Sequence, residues 1–310
     1  MFQRVYYSCL IVLAFCCSAG CFGDEVTSVA KELCIVQDPQ ILEASGLAIC
    51  RTMENAVWMH NDSGDTPRLF LVGLDGATIG IVNVKGVTAN DWEDVCSFEI
   101  NGQSWLLVGD IGDNAHQRSV KSPACQLLLL KEPTLKVSES GTKVTEVSID
   151  VTRTVEFQFP DGPHDCESLA VDTINNTILL VTKSAPNKCA MYSLPLTLTG
   201  GKETLKAEHV TPISATFATA MDLSTDGRRL AIVNMWGGVM LTRKDAQKDS
   251  WADASMNGLT TLSLPKRKQG ESVCFATDGN SLLLNSEGAS QPLWQIKIAP
   301  PEEIQLGVPK

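Results

Sequence analysis

The chain has 310 residues, of which 44% are hydrophobic and 20% are charged, proportions that are ordinary for a globular protein with a full core. Its formal net charge of −11 argues against a nucleic acid or an anionic membrane surface as partner, because both require basic patches. The acidic balance is compatible with metal-ion binding, and equally with an acidic surface that is simply well solvated.

The first twenty residues have the pattern of an export signal: a positive charge, an apolar stretch at residues 10–17 and small residues before a cleavage point. The apolar stretch is too short to span a bilayer, and no later segment is long enough. The four residues ending at Cys21 resemble a bacterial lipobox, with Ser18 where that motif usually has Leu or Val. A lipid anchor at Cys21 and plain secretion both remain open. We expect a signal at residues 1–21, a linker at residues 22–32, and an exported protein: periplasmic, cell-surface, an outer-membrane lipoprotein or secreted.

A short cassette recurs along the chain at intervals of about fifty residues, with one longer interval between its second and third copies. The strong copies begin at Glu93, Glu167 and Glu271, and the weaker copies begin at Ser45 and Thr219. Each copy is followed by an apolar run. This period fits one four-stranded blade of a β-propeller, so the sequence predicts an all-β fold with a single propeller of five four-stranded blades.

Strands of four to eight residues are predicted in each unit, separated by turns rich in Asp, Asn and Gly. No window beyond the first twenty residues has a helical period. Six blades remain the alternative if residues 131–160 hold more than insertions. In chain order the predicted strands are 46–49, 56–60, 68–73 and 78–85; 95–100, 104–109, 126–130 and 155–159; 168–172, 177–182, 190–194 and 207–212; 220–224, 229–234, 239–242 and 259–264; and 272–276, 281–285 and 293–298.

The last predicted unit lacks an outer strand. Residues 33–37, just before the first unit, form a predicted strand that has no place in its own unit. Pairing this N-terminal strand with the last blade closes the ring and removes an open sheet edge, although residues 303–308 are a rival for the same place. The propeller is therefore expected to span residues 33–299, with a tail at residues 300–310.

Seven cysteines follow Cys21, an odd number that cannot all pair internally in an exported protein. Cys96 and Cys274 lie inside apolar strand sequence and are predicted to be buried free thiols. Cys125 and Cys189 each precede a predicted third strand and are the better disulfide candidates. No C-x-x-C motif is present and the chain has four histidines, so a structural zinc site is not expected.

The cassette residues are expected to converge on one mouth of the central channel. In a propeller the first strand of each blade lines the channel, and its start lies on the same face as the end of the second strand. Gathered carboxylates repel one another and raise each other's pKa unless a cation intervenes, and this cost points to a functional site. Catalytic roles are predicted for Glu93, Glu167 and Lys183. Ligand-binding roles are predicted for His60, Arg68, Arg118, Glu271 and Glu287.

Two loops place oxygen ligands at short spacing around a glycine, at residues 61–65 and 110–114. Ca²⁺ prefers six to eight oxygens from such groups, so the sequence predicts a Ca²⁺ site. Neither loop has the spacing of an EF-hand, and ordinary turns explain each loop equally well. Lys183 and Arg118 suit an anionic group such as a phosphate ester, or else neutralise the acids in a structural network. The predicted metal ligands are Asp62, Asp65, Asp110 and Asp113.

With these segments in view, the chain resembles a family of uncharacterised exported bacterial β-propeller proteins. These proteins carry a His-Asn-Asp-Ser-Gly-Asp, an Asp-Trp-Glu-Asp and a Gly-Asp-Ile-Gly-Asp-Asn segment, here residues 60–65, 91–94 and 109–114. More distantly, the chain is similar to the "esterase-like activity of phytase" propellers, which share Ser-Gly-Leu and repeated Glu-Gly/Ser-Leu cassettes. That resemblance implies a propeller with a metal-dependent phosphoester site. Thr219 and Asp222 depart from the pattern, which puts the fourth blade's part in a site in doubt.

Two functions remain open from the sequence. One is a non-catalytic exported propeller, expected to be a monomer, that binds a small-molecule or protein ligand at an acidic, Ca²⁺-binding channel mouth. The other is a metal-dependent hydrolase of phosphoesters or other esters, of phytase-like type. The sequence has no G-x-S-x-G elbow, P-loop, G-x-G-x-x-G or H-E-x-x-H motif. Because no nucleophile or complete acid–base pair is identified, the binding function is favoured.

Overall fold

The computed structural model describes residues 30–118, 124–136 and 144–298, which form 22 β-strands and one short helix. In chain order these elements are β1 (Ala30–Ile35), β2 (Ala44–Ile49), β3 (Ala56–Asn61), β4 (Arg68–Gly73), β5 (Thr78–Lys85), β6 (Trp92–Ile100), β7 (Gln103–Asp110), β8 (Cys125–Lys131), β9 (Thr145–Asp150), β10 (Arg153–Gln158), β11 (Cys166–Asp172), β12 (Thr177–Thr182), β13 (Cys189–Pro195), β14 (Glu203–Lys206), β15 (Glu208–Ile213), β16 (Ala220–Leu223), β17 (Arg229–Val233), β18 (Gly238–Thr242), α1 (Trp251–Asn257), β19 (Leu259–Leu262), β20 (Ser272–Phe275), β21 (Ser281–Asn285) and β22 (Pro292–Lys297).

Five sheets, each with four antiparallel strands from the inside outwards, form the five blades of a β-propeller in the described part of the chain. This confirms the predicted fold class and excludes the six-bladed alternative. The innermost strands are β2, β6, β11, β16 and β20, and each contacts the innermost strand of the next blade around the ring. Contact between β2 and β20 completes the circle. From the inside outwards the blades are β2-β3-β4-β5, β6-β7-β8-β10, β11-β12-β13-β15, β16-β17-β18-β19 and β20-β21-β22-β1.

The ring is closed by the N-terminal strand, as predicted. Strand β1 runs antiparallel to β22, with Ala30 opposite Ile296. It begins three residues earlier than the sequence predicted and ends two residues earlier. The rival closing segment at residues 303–308 lies outside the described residues. Strand β1 is thus the outermost strand of the fifth blade, and β22 is paired on both sides.

Two blades have a fifth strand that comes from a neighbouring unit. Strand β9 comes from the long insertion of the second unit and pairs in parallel with β5, so that it covers the first blade. Strand β14 comes from the third unit and pairs in parallel with β10 at the edge of the second blade. The long second interval therefore contains an edge strand of another blade rather than a sixth blade.

The core consists of apolar layers between neighbouring blades. The second strands are buried on both faces, as in Ile178–Val181 of β12 and Leu230–Val233 of β17. A middle strand of a blade packs on the blades at either side, and its sequence is therefore a continuous apolar run rather than an alternating one. Trp92 is buried in the layer between the first two blades.

The sequence prediction that no helix lies beyond the first twenty residues is wrong. Helix α1 lies between β18 and β19, and its N-cap is Ser250, whose side chain accepts a hydrogen bond from Asp253 N at 3.0 Å. The helix has seven residues and ends at Gly258. A helix of two turns is too short to produce a clear helical period in the sequence. Its capping residues are the sequence feature that could have predicted it.

The described cysteines are all free thiols, which corrects the prediction that Cys125 and Cys189 are disulfide candidates. Each of these thiols instead lies near a backbone carbonyl in its own part of the chain, Cys125 near Ile111 O and Cys189 near Ser184 O. Cys96 and Cys274 are buried free thiols, as predicted. Among the described residues, no helix is long and apolar enough to cross a membrane.

Candidate functional site

The starts of the five inner strands lie together at one end of the propeller axis, here termed the mouth. The cassette residues Glu93, Glu167 and Glu271 are all buried there, each less than 5% exposed. The carboxyl group of Glu167 lies within electrostatic range of both Glu93 and Glu271. The structure thus brings the three strong cassette positions of the second, third and fifth blades into one acidic cluster.

The hydroxyl residues that begin the two weak cassette copies link neighbouring blades at the same end of the propeller axis. Ser45 Oγ of the first blade donates a hydrogen bond to Glu93 O of the second blade at 2.5 Å. Thr219 Oγ1 of the fourth blade donates to Gly270 O beside the fifth blade at 2.9 Å. Where the cassette has a hydroxyl in place of a carboxylate, the side chain therefore links neighbouring blades.

Three carboxylates approach one another closely enough to share a metal ion. Asp62 follows β3, Asp91 precedes β6, and Glu93 is the second residue of β6. One carboxylate oxygen from each lies within 4.8 Å of the others. Gly112 packs against the carboxylates of Glu93 and Asp91, and a Cβ at this position would collide with both. The close approach of the Gly112 backbone narrows this side of the mouth.

The pKa of each of these three carboxyl groups is raised. Burial, with further contributions from Asp91 and Glu271, raises the pKa of Asp62 to about 6. Burial also raises the pKa of Asp91, and Arg118 offsets part of this rise. Burial followed by Glu167 and Asp62 raises the pKa of Glu93 well above its usual range. Three negative charges at this separation are unfavourable without a cation.

Lys183 supplies the positive charge of the mouth. Its Nζ lies 2.5 Å from Oε1 of Glu167, and its backbone N–H donates to Asp165 O at 2.9 Å. Burial lowers the pKa of Lys183, but Glu167, Glu271 and Glu93 together outweigh it and the net pKa is raised. Lys183 is therefore a stable cation paired with Glu167, although burial still raises the pKa of Glu167 to about 8. Among the described residues, Asp62, Asp91 and Glu93 have no ion pair of their own.

Glu271 and Glu287 form a carboxyl pair within electrostatic range of Asp62. Burial, together with a hydrogen bond to Glu271, raises the pKa of Glu287 to about 9. Glu271 Oε1 also accepts a hydrogen bond from Gln269 Nε2 at 2.9 Å. At neutral pH Glu287 therefore keeps its proton, and its carboxyl group adds no negative charge to the mouth.

His60 lies in the wall of the channel rather than in its opening. The side chain is fully buried, and Nδ1 is 2.9 Å from Asn61 O. Its ring meets the Trp92 ring edge to face, and it leaves no room for a side chain at Gly46. Burial lowers the pKa of His60 to about 4, so the imidazole is neutral at physiological pH.

Asp65 and Arg68 form an ion pair with each other at the edge of the first blade, 2.9 Å apart. Asp65 Oδ2 also accepts a hydrogen bond from Asn61 Nδ2 at 2.7 Å. The Arg68 guanidinium lies over the Phe70 ring. This pair stabilises the turn after β3, and it lies outside the cluster of three carboxylates.

Asp110 is fully buried and organises the loop that contains Asp91. Its carboxylate accepts hydrogen bonds from the backbone N–H groups of Asn90 and Asp91, both at 3.2 Å. Arg118 Nη2 lies 2.5 Å from Asp110 Oδ1, while Nη1 donates to Asp110 O at 2.6 Å. Asp110 and Arg118 therefore position Asp91, and Arg118 lowers the pKa of Asp91, but Asp110 does not belong to the cluster of three carboxylates.

Asp113 likewise organises the backbone of the turn that follows Asp110. Its carboxylate accepts hydrogen bonds from the backbone N–H groups of Gln117 and Arg118, each at 2.8 Å. Its own N–H donates to Asp165 Oδ1 at 2.9 Å. Of the four metal ligands predicted from sequence, Asp62 alone joins the cluster, while Asp65, Asp110 and Asp113 are engaged by backbone N–H groups and arginines.

Sequence reasoning did not assign a role to Asp91. This residue lies beside Glu93 in the Asp-Trp-Glu-Asp segment. In an extended strand, residues two apart point to the same side, and this spacing was the signal that could have paired Asp91 with Glu93. Asp165 was missed in the same way, and it lies within electrostatic range of both residues.

Fold and site together define a five-bladed β-propeller with buried carboxylates at the starts of three of its inner strands. No protein-family model matches the sequence, and no curated protein matches it. Among solved structures the chain is similar to a gluconolactonase from Xanthomonas campestris, with a TM-score of 0.47 and 10% identity over 88% of this chain and 90% of that one. It is also similar to a PQQ-bound aldose sugar dehydrogenase from Streptomyces coelicolor, with a TM-score of 0.43 and 9% identity over 89% and 99% of the chains. A third is a putative oxidoreductase (glucose dehydrogenase) from Thermus thermophilus, with a TM-score of 0.45 and 9% identity over 87% and 100% of the chains.

Proposed function

We propose that this propeller binds a divalent cation, Ca²⁺, through Asp62, Asp91 and Glu93, and binds a small-molecule or protein ligand at the same mouth. The observation that carries the proposal is the approach of the three carboxylate oxygens within 4.8 Å. In the described part of the chain, none of the three forms an ion pair with a lysine, arginine or histidine, and Glu93 is 2% exposed. A buried carboxylate without a cationic partner is unfavourable, and a bound cation removes this cost.

The donor set suits a hard cation. Ca²⁺ binds six to eight oxygens, and carboxylates are its preferred protein ligands. Three carboxylates supply part of this number, and the remaining positions are left for water or for oxygens of a ligand. Asp62 and Asp91 are only half-buried, so the site faces the open mouth.

The charges around the mouth favour a ligand with its own oxygens and some negative charge. Lys183 provides a cation beside Glu167, and Glu287, with a pKa of about 9, provides a carboxyl proton. Hydroxyl, carboxylate or phosphate oxygens of a ligand would find a metal, an ammonium group and a hydrogen-bond donor within one opening.

Thermal unfolding tests the cation proposal. We expect CaCl₂ to raise the melting temperature of EDTA-treated protein, because a cation that binds only the folded state stabilises it. Glu93→Gln should abolish this increase, whereas Glu208→Gln, at an exposed position of β15, should preserve it. If Ca²⁺ leaves the wild-type melting temperature unchanged, or raises it equally in Glu93→Gln, the proposal is wrong.

Ester hydrolysis is the second candidate, and the contact between Lys183 and Glu167 favours it. An ammonium group 2.5 Å from a carboxylate, next to Glu93, could hold the anionic part of a phosphoester or other ester while the carboxylates move the proton of water. Hydrolysis of generic phosphoesters and carboxyl esters in CaCl₂ is the test. Activity that is lost in Glu167→Gln supports the hydrolase, and absence of hydrolysis in the wild type leaves binding as the function.

We also propose that the protein is exported and processed near Cys21. The first twenty residues carry the pattern of an export signal, and they lie outside the described residues. Mass spectrometry of the mature protein is the test. A chain that begins at Cys21 and carries lipid would establish the anchored form, a shortened chain without lipid would establish secretion, and a full-length chain would contradict both.

A further inference from the structure

A second cationic side chain lies at the mouth end of the propeller axis, in the loop before β20. Arg267 precedes Ser272, the first residue of β20, and is only 8% exposed. Its Nη2 donates a hydrogen bond to Asn234 O, just after β17 of the fourth blade, at 3.0 Å. The guanidinium packs against Gly270, where a Cβ would collide with Cζ, Nε and Nη1. Arg267 therefore links the fourth and fifth blades beside the start of an inner strand.

Arg267 has no carboxylate partner. In the described chain its buried Nε and Nη1 atoms have no hydrogen-bond acceptor. Among the other buried arginines described, Arg153 and Arg243 form ion pairs with carboxylates, and Arg229 has aspartates within electrostatic range. Burial alone lowers the pKa of Arg267 to about 10, so the guanidinium stays charged at neutral pH. A buried cation without an anion is unfavourable, and a bound oxyanion would remove this cost.

Glu271 is the carboxylate nearest to Arg267 along the chain, but it is engaged elsewhere. Its Oε1 accepts a hydrogen bond from Gln269 Nε2 at 2.9 Å. Within the described residues, no carboxylate raises the pKa of Arg267. Lys266 and Lys268 flank the arginine, and both are exposed. The loop before β20 is thus the basic part of the mouth, and it favours a negatively charged group.

Two exposed aromatic side chains lie on the fourth blade beside this loop. Trp236, in the loop after β17, is 70% exposed, and Phe217, in the loop before β16, is 37% exposed. Both loops meet at Asn234. The Nδ2 atom of Asn234 donates to Thr216 O at 2.9 Å, and its Oδ1 accepts from Trp236 N at 2.9 Å. Because the carbonyl of Asn234 also accepts from Arg267, this one residue holds the guanidinium and both aromatic loops together.

We propose that Arg267 and Trp236 form a subsite of the mouth for a small aromatic oxyanion, with a phosphate or carboxylate group on the guanidinium and a planar ring against the indole. The inference deepens the ligand-binding part of the proposed function and rests on it. A guanidinium recognises oxyanions through directed N–H donors. An exposed indole offers a flat apolar surface on which a ring can stack. Trp236 is the second residue after Asn234, whose carbonyl Arg267 contacts, so one small molecule can reach both groups.

Titration of ¹⁵N-tryptophan-labelled protein with phenyl phosphate, followed by NMR in EDTA at pH 7.5, tests the subsite. We expect saturable movement of the Trp236 indole N–H signal, assigned by its loss in Trp236→Leu, with a dissociation constant of about 1 mM. Benzoate should move the same signal. Inorganic phosphate, which has no ring, should bind at least about fivefold more weakly than phenyl phosphate.

Arg267→Gln should weaken the binding of phenyl phosphate by about tenfold or more. The matched control is Arg228→Gln, in the turn between β16 and β17 at the other end of the axis, which should bind as the wild type does. Trp236→Leu replaces an exposed side chain without disturbing the core, and it keeps the inference testable if Arg267→Gln does not fold. Phenyl phosphate should raise the melting temperature of the wild type more than that of Trp236→Leu.

Two variants distinguish this subsite from the cation site. Glu93→Gln should lose the increase in melting temperature caused by Ca²⁺ and keep its affinity for phenyl phosphate, whereas Arg267→Gln should keep the response to Ca²⁺. The subsite is overturned by absence of saturable shifts in the wild type, by equal affinity of the wild type and Arg267→Gln, or by equal affinity for phenyl phosphate and inorganic phosphate. Loss of phenyl phosphate binding in Glu93→Gln would likewise place the ligand away from Arg267.

Discussion

Lys183 holds its ammonium nitrogen 2.5 Å from the Oε1 atom of Glu167, and in the described chain this is the only ion pair made by a cassette glutamate. The pair joins the end of β12 to the start of β11 within the third blade. It neutralises one of the buried glutamates of the mouth. Removing the lysine therefore leaves a buried carboxylate without its partner.

We expect Lys183→Met to lower the free energy of unfolding by about 1–3 kcal/mol at pH 8, less than for a fully buried pair because Lys183 is about a quarter exposed. The double variant Lys183→Met with Glu167→Gln should recover most of this loss, since both charges are then absent. Urea denaturation of the four proteins in this cycle is the measurement. Additive effects of the two substitutions would show that the pair is not coupled.

The stability of the metal-free protein should fall as the pH rises from 7 to 8.5. The pKa values of Glu93 and Glu287 are raised in the folded state, Glu287 to about 9, so the folded protein binds more protons than the unfolded chain. Stability is then lost with increasing pH, by up to about 1.4 kcal/mol per pH unit for each such group. His60, with a pKa of about 4, acts in the opposite direction, but only below about pH 6.5.

Urea midpoints in EDTA at pH 7, 7.75 and 8.5 measure this slope. Glu287→Gln should make the slope less steep, because the amide has no proton to lose, while Glu93 and Glu167, the latter with a pKa of about 8, still contribute. CaCl₂ should also reduce it, since bound cation stabilises the charged carboxylates. A midpoint that rises between pH 7 and 8.5 in EDTA would contradict the proposed origin of the slope.

Asp94→Ala should destabilise the propeller by about 2–4 kcal/mol, because it leaves the buried N–H groups of Leu169 and Met221 without an acceptor. Asp94→Asn should cost less than half as much, since the amide oxygen can accept both hydrogen bonds. Chemical denaturation gives both values. Equal losses in the two variants would mean that the charge of Asp94, rather than its acceptor oxygen, holds the blades together.

Thr219→Val should lower the free energy of unfolding by about 1 kcal/mol, because it removes the hydrogen bond to Gly270 O without changing the shape of the side chain. The matched control is Thr260→Val, at an exposed position of β19. Melting temperatures of both variants are the measurement. If Thr260→Val is as destabilising as Thr219→Val, the hydrogen bond from Thr219 to Gly270 does not contribute measurably to the stability of the propeller.

The blades could be predicted because their burial is visible in the sequence. A second strand packed between two neighbouring blades must be apolar on both faces, and the run at Ile178–Val181 shows this. Strand β14 could not be predicted in the same way. Its residues, Glu203–Lys206, are mostly exposed, and only the edge of the second blade makes them a strand.

The convergence of Glu93, Glu167 and Glu271 could be predicted from topology, because the start of every inner strand lies at one mouth. The partners of the loop carboxylates could not. Asp110 has the sequence context of a metal ligand. In the structure its oxygens accept a hydrogen bond from Asn90 and form an ion pair with Arg118, and the positions of both partners depend on the folded loops. Spacing along the chain does not determine which neighbour a loop carboxylate meets.

Calorimetric titration of the EDTA-treated protein with CaCl₂ at pH 7.5 tests the central claim most directly. We expect one Ca²⁺ to bind per chain, with an affinity that weakens as the pH falls, because the cation competes with the proton of Glu93 and, below about pH 6, with that of Asp62 as well. Glu93→Gln should bind at least about tenfold more weakly than the wild type. Absence of binding, or an affinity that is the same in wild type and Glu93→Gln, would contradict a cation site formed by Asp62, Asp91 and Glu93.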